Sequence, residues 1–234
     1  MSIAYVAGAT GYTGRAVVQC LTQAGIETHA HVRPDSKSLA EWTEKFTQWG
    51  AQVDTTPWDQ EAMTKRLKDL NPDAVFGCLG TTKKRIAQDA AAGKTSSYQI
   101  VDYGMTVMLH EAAKQCTSQP RFVYVSSTGS KPGSEGSYLG ARYAVEQVLI
   151  QSELPYTIAR PCFITGPNRD EDRPAERIGA KVSDSILSIL GGLGAKSLQK
   201  RYRSTTNTIL GAALVRLAFD PSAARQIIES DGLR

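Results

Sequence analysis

The chain has 234 residues, 41% hydrophobic and 21% charged, with 27 lysines and arginines against 23 aspartates and glutamates. That composition is globular, long enough for one sizeable core and too short for two, so a single domain over 1–234 is expected. A net charge of +4 and a pI near 8.8 suit a small anionic ligand as well as they suit nucleic acid, and with no basic tail or stripe a small-molecule substrate rather than nucleic acid is expected. No apolar run reaches the roughly eighteen residues of a membrane span. The chain opens on a strand-like segment rather than a signal peptide. Cys20, Cys78, Cys116 and Cys162 show no C-x-x-C spacing and each sits among apolar neighbours. They read as buried thiols of a reducing compartment, so a cytoplasmic protein is expected.

The first strand is Ile3–Ala7, followed by Gly8, Gly11 and Gly14 in a G-x-x-G-x-x-G run with Thr10, Tyr12 and Thr13 between them. Arg15 to Leu21 then places apolar side chains at helical spacing. Glycines at a strand-to-helix turn permit a positive φ, let a pyrophosphate approach the backbone, and let the helix pack closely on the strand. Free N–H groups at the helix start receive the phosphate charge. The plain alternative is a tight turn without a ligand, and the order strand, glycines, helix, second strand weighs against it.

Residues 27–32 alternate like a second strand and lead into Arg33, Pro34, Asp35, Ser36 and Lys37. An NAD site would place an acid here for the ribose 2′-hydroxyl. Arg33 with Ser36 and Lys37 suits a 2′-phosphate instead, gripped bidentately by the guanidinium, so NADP(H) is expected over NAD(H). Asp35 is the dissenting residue, since it could serve a ribose. Ser36 is also expected to cap the next helix.

That helix is predicted over 36–49, with Leu39, Trp42, Phe46 and Trp49 as a core-facing stripe. A weak third strand follows at 51–56, then a helix opened by Asp59 and ending before Asn71-Pro72. Asp73 to Leu79 is a fourth strand, apolar on both faces, that ends in Gly80-Thr81-Thr82. Lys83, Lys84 and Arg85 read as a solvated loop, with a phosphate- or substrate-facing role as the minority reading. A long helix is predicted over 96–116, with Ile100, Val101, Met105, Met108, Leu109 and Ala112 on one broad face. A fifth strand, 121–125, ends in Ser126-Ser127-Thr128-Gly129; a helix begins near Tyr138, and 154–159 is a sixth strand. The segment 168–177 reads as an exposed charged loop or, less readily, a lid over the substrate. Helices are expected at 182–190 and 208–219, the latter stopped by Asp220-Pro221.

Strands alternating with helices predict an α/β fold, a mostly parallel doubly wound sheet with helices on both faces. Residues 160–234 are expected to add a small helical region on the substrate side. Ligands in such sheets bind beyond the carboxyl ends of the strands. The segments 8–14, 33–37, 79–82, 126–129 and 160–166 should therefore meet in one crevice.

The chemistry is read from Ser127, Tyr138 and Arg142. Spacing i to i+4 sets Tyr138 and Arg142 on one helix face. A cation beside a phenol lowers its pKa from about 10 toward the working range. A serine hydroxyl can hold a substrate carbonyl while the tyrosine supplies the proton.

With GATGYTG at 8–14, VSS at 125–127, Tyr138-x-x-x-Arg142 and Ala159-Arg160-Pro161, the chain resembles an atypical short-chain dehydrogenase/reductase over nearly its whole length. CLGTT at 78–82 and the segment from Ala159 to Pro174 resemble most closely the Tat-interacting-protein-like oxidoreductases. The resemblance implies an NADP-binding Rossmann domain with a serine–tyrosine–lysine catalytic set. It maps the carbonyl donor onto Ser127, the general acid onto Tyr138, and the nicotinamide side onto Leu79, Gly80, Thr81, Pro161, Cys162 and Phe163. Where the family carries lysine, to lower the tyrosine pKa and hold the ribose, this chain has Arg142, a non-conservative exchange at a tight site. Two functions are carried forward. One is an NADP(H)-dependent oxidoreductase acting on a small carbonyl or alcohol substrate, and the other is an NADPH-binding regulator of a protein partner, with weak or no turnover.

Overall fold

The computed structural model describes residues 1–133, 136–166 and 204–234. Its strands are β1 (Ile3–Ala7), β2 (Glu27–His31), β3 (Gln52–Asp54), β4 (Ala74–Gly77), β5 (Arg121–Val125), β6 (Tyr156–Arg160), β7 (Ile164–Thr165), β8 (Thr205–Thr206) and β9 (Gln226–Glu229). Seven of them form one sheet in the order β3-β2-β1-β4-β5-β6-β9, while β7 and β8 pair separately. Every pairing is parallel. This is the doubly wound Rossmann sheet that the alternation predicts. Its order reverses between β1 and β4, which opens a crevice at their carboxyl ends.

The helices are α1 (Tyr12–Gln23), α2 (Leu39–Gln48), α3 (Gln60–Leu70), α4 (Lys83–Ala91), α5 (Thr106–Ala113), α6 (Tyr138–Gln151) and α7 (Asn207–Phe219). One core joins Val17, Val18 and Leu21 of α1, Phe46 of α2 and Leu210, Leu214 and Leu217 of α7 to one face of the sheet. The opposite core joins Met63 and Leu67 of α3, Leu109 of α5 and Val145 and Leu149 of α6 to the other. The aromatic stripe is core, as expected, with Phe46 between Trp42 and Trp49 at ring-centroid distances of 5.1 and 5.6 Å. Helix α7 lies so close on α1 that a Cβ on Gly211 would stand 2.9 Å from the Ala16 carbonyl carbon.

Several expectations are corrected. The helix predicted over 96–116 begins as a π-helical stretch, Tyr98–Met105, before α5. Its wide turn shifts the buried face, so Ile100 is 40% exposed and Asp102 fully buried. Lys83, Lys84 and Arg85 are the first turn of α4, capped by Thr82 Oγ1, which accepts from the Arg85 N–H at 3.1 Å. The cap of α2 is Ser38, not Ser36. Strand β9, which the sequence reading passes over, adds a seventh strand beside β6. Of the four cysteines only Cys116 is buried; Cys20, Cys78 and Cys162 are partly so. The loop at 168–177 and the helix at 182–190 lie outside the described residues. Among the described residues no helix is long and apolar enough to cross a membrane.

Candidate functional site

The glycine loop is shaped by close approach. Gly8 has φ +76°, and a Cβ there would stand 2.5 Å from the Cys78 carbonyl oxygen of the neighbouring strand end. A Cβ on Gly14 would run into the Gly8 carbonyl oxygen. The Gly11 N–H donates to that same oxygen at 2.9 Å and closes the turn. Side chains of Asp59, Thr82, Ser137 and Thr206 cap the helices α3, α4, α6 and α7. Helix α1 has Gly11 in that place, no side-chain cap and no acid in its first turn. A helix start without a side-chain cap, beside Thr10 and Thr13, is a place where an anion is received. Tyr12 is a bracket: its hydroxyl donates to the Thr165 carbonyl at 3.2 Å, and its own carbonyl accepts from Asn207 Nδ2 at 3.3 Å. The loops 8–14 and 160–166 are joined there.

At the end of β2, Arg33 is half exposed, with Nη1 3.8 Å from Asp35 Oδ1. Lys94, just beyond α4, reaches the other oxygen of Asp35 at 3.5 Å. The Ser36 N–H donates to the Arg33 carbonyl. Lys94 is a further cation at this turn, beside Arg33 and Lys37, and lies too far along the chain for a local pattern to reveal it.

At the end of β4, Leu79 and Thr81 are buried and Gly80 is exposed. Behind them lies Arg142, only 6% exposed. Its Nη1 donates to the Val125 carbonyl at 2.7 Å and the Tyr124 hydroxyl at 3.3 Å. Its Nη2 donates to the Leu79 carbonyl at 3.0 Å and lies 2.8 Å from Asp102 Oδ1. Burial opposes the charge of Arg142, but Tyr124, Tyr138 and Asp102 outweigh it and hold the guanidinium above its ordinary pKa. Burial lifts the Asp102 carboxyl above its usual range, against the pull of Arg142 and the Thr81 N–H. Both Nη groups are engaged with protein acceptors, while Nε has no hydrogen-bond partner among the described residues. The guanidinium does lie over the Tyr138 ring, 5.2 Å from its centroid.

Tyr138 is the first residue of α6, half-buried, behind the Ser137 cap. The ring of Tyr98 meets it edge-on at 5.5 Å. Ser127 is half-buried at the end of β5, its Oγ donating to the Thr128 carbonyl at a long 3.3 Å. Its neighbour Ser126 points inward and donates to Glu146. Glu146, fully buried, also accepts from Arg160, which bridges to Glu229 at 3.1 Å. The arginine of the Ala159-Arg160-Pro161 motif is thus held in a structural ion network. The Pro161 carbonyl accepts from the Thr128 N–H at 3.0 Å and the Phe163 carbonyl from the Thr205 N–H at 2.9 Å, with the half-buried Cys162 between them. Burial pushes the Cys78 thiol up to about 12, which leaves it a neutral packing group.

Asp102, Tyr98 and Tyr124 are also absent from the sequence reading. The available signal was Asp102 itself, a lone acid in an apolar run that requires a buried partner.

A family model described as NAD(P)H-binding matches residues 8–186. The chain belongs to this NAD(P)H-binding family. It is 26% identical over 227 residues to the FMP52-1 protein, mitochondrial, of Scheffersomyces stipitis, covering 97% of this chain and 89% of that one. It is 28% identical over 185 residues to the FMP52 protein, mitochondrial, of Debaryomyces hansenii, covering 78% and 76%. Among solved structures, a short-chain dehydrogenase/reductase of Serratia marcescens superposes with a TM-score of 0.64 at 14% identity, covering 97% of this chain and 95% of that one. The oxidoreductase ylbE of Lactococcus lactis gives 0.60 at 16% identity, covering 96% and 88%. These likenesses establish the fold, and the atypical short-chain dehydrogenase/reductase resemblance stands. The cytoplasmic expectation is corrected, since these FMP52 relatives are named as mitochondrial proteins.

The family's nucleotide fits what is present. The cradle at Gly8 and Gly14 has no room for a Cβ, and the uncapped start of α1 supplies N–H donors for a pyrophosphate. Among the described residues no cluster of His, Cys, Asp and Glu could hold a metal ion.

Proposed function

We propose that the protein is an NADP(H)-dependent oxidoreductase acting on a small carbonyl or alcohol substrate, working in a mitochondrial setting as its relatives' names suggest. The observation that carries the reading is that Ser127 follows β5 and Tyr138 opens the next helix of the same parallel sheet whose β1 ends in the glycine cradle. Bound at that edge, the nicotinamide would supply or accept the hydride. Ser127 Oγ, with one long bond among the described residues, would donate to the substrate oxygen. Tyr138, with the Arg142 guanidinium packed over its ring, would deliver the proton to that oxygen. Arg33 and Lys94 would hold a 2′-phosphate, displacing the Asp35 carboxylate that both now approach. Leu79 to Thr81 and Pro161 to Phe163 would line the nicotinamide side, with 160–166 and 204–207 on the substrate side.

The test is NADPH oxidation with a panel of aldehydes, ketones and quinones, run on the wild type and on Tyr138→Phe. Turnover that falls by about a hundredfold or more in Tyr138→Phe supports the reading, since a positioned general acid contributes about 10²–10⁴. Equal turnover by both proteins would remove Tyr138 from the chemistry.

The engagement of Arg142 with Asp102 and two main-chain carbonyls favours the second reading, a regulator whose NADPH occupancy sets its affinity for a protein partner. NADPH binding without turnover on any substrate of the panel would put that reading first.

A further inference from the structure

Leu79 and Thr81, on either side of Gly80 at the end of β4, are held by one buried ion pair. The Leu79 carbonyl accepts from Arg142 Nη2 at 3.0 Å, and the Thr81 N–H donates to Asp102 Oδ2 at 2.9 Å. Between them, a Cβ on Gly80 would stand 2.5 Å from the same Nη2. The ladder from β4 to β5 runs only to Gly77 opposite Tyr124, so no strand neighbour continues past it to pair these backbone groups. Buried main-chain donors and acceptors need partners, and here the partners are two charged side chains.

Charge is an expensive way to meet that need. A buried ion pair is often no better for stability than apolar residues of the same volume. Its presence therefore calls for a role beyond holding α6 against the π-helical stretch. Asp102 is fully buried, and it faces inward because the π-helical turn puts it there in place of Ile100. The same stretch carries Tyr98 onto the ring of Tyr138, and Arg142 covers that ring from its own helix.

We propose that Asp102 is a positioning residue for the nicotinamide-facing loop, fixing Thr81 directly and Leu79 through Arg142. One carboxylate thereby sets the loop and the guanidinium beneath Tyr138 together. The inference rests on the oxidoreductase reading only in that 79–81 faces the nicotinamide half of the cofactor.

The experiment measures equilibrium binding of NADPH and of adenosine 2′,5′-bisphosphate, which lacks the nicotinamide half, with thermal unfolding recorded in parallel. The proteins are wild type, Asp102→Asn and the double variant Asp102→Leu/Arg142→Met. Asp102→Asn is expected to bind NADPH about tenfold or more weakly, the worth of one charge-assisted bond, and to bind the bisphosphate as wild type does. The double variant leaves the Thr81 N–H and the Leu79 and Val125 carbonyls without these partners, so it is expected to unfold at a lower temperature and to bind NADPH weakly. The proposal is overturned if Asp102→Asn binds NADPH as wild type does, if both ligands weaken together, or if the double variant regains full NADPH binding. If the double variant does not fold, Asp102→Asn decides alone. Wild type that binds the bisphosphate but gains nothing from the nicotinamide half would overturn this inference alone. Wild type that binds neither ligand would overturn the nucleotide reading and this inference with it.

Discussion

A Cβ on Gly14 would collide with the carbonyl oxygen of Gly8, whereas a Cβ on Gly11 would stand 3.1 Å from the same atom, a tight contact relieved if that carbonyl gives by a few tenths of an ångström. The two glycines therefore do different work. Gly14→Ala is expected to cost about 1–3 kcal/mol of stability by overpacking. Gly11→Val, at an exposed position, should leave the unfolding temperature nearly unchanged and abolish NADPH binding by filling the approach of the pyrophosphate. Thermal unfolding and nucleotide titration on both variants separate the two effects, and an undiminished affinity in Gly11→Val would reduce the loop to a turn.

The turn after β2 should respond to charge alone. Arg33→Ala is expected to weaken NADPH about tenfold while leaving NADH nearly untouched. Asp35→Asn frees both Arg33 and Lys94 of their carboxylate and should tighten NADPH. Equal losses for both nucleotides in Arg33→Ala would sink the 2′-phosphate assignment.

Gly80 has no room for a side chain because the Arg142 guanidinium fills the place. A flexible side-chain end would normally step aside, but this one is pinned by Leu79, Val125, Tyr124 and Asp102. Gly80→Ala should therefore lower stability by about 1–3 kcal/mol, unusual for an exposed loop position. A denaturant midpoint identical to wild type would mean that the guanidinium is free to move.

Arg160→Met removes the main partner of a fully buried carboxylate, Glu146. Breaking a buried pair from one side costs about 3–5 kcal/mol. Arg160→Met/Glu146→Met should recover most of that loss in chemical denaturation, because neither charge is then stranded. A single variant as stable as wild type would show the network to be ornamental.

Acid should destabilise the fold through its histidines before its carboxylates. Burial lowers the pKa of His31 below 6.5, against the Thr56 carbonyl and Asp54, with Arg33 lowering it further. Burial also lowers His110, against Glu111. Each is held neutral when folded and binds a proton more readily when unfolded. Their stability is therefore fully present above about pH 6.5 and is lost as pH falls from there through the folded-state values. His31→Gln is expected to flatten the decline of the unfolding temperature between about pH 6.5 and 5, and an unchanged slope would exclude His31 as a source.

The order of strands and helices was legible because apolar period and glycine punctuation are local signals. The glycine loop, Ser127 at a strand end and Tyr138 at a helix start were readable for the same reason. What escaped was set by distant partners. An α-helical period misplaces Ile100 and Asp102, since the π-helical turn is selected by Arg142 and Thr81 rather than by neighbours in the chain. Strand β9 was missed because its four residues are partly exposed and gain their strand character only from β6. The family resemblance put Arg142 in the place of a lysine, while its partners lie up to 63 residues away.

The packing of α7 on α1 bears on how the chain reaches its fold. Asn207 meets Tyr12 across 195 residues, and Gly211 seats against Ala16. Among the described residues the cover of α1 on this side comes from α7, near the end of the polypeptide, and closing so long a loop is slow. The nucleotide-gripping turn sits at the head of that helix. During biosynthesis it should become competent only late, when α7 docks.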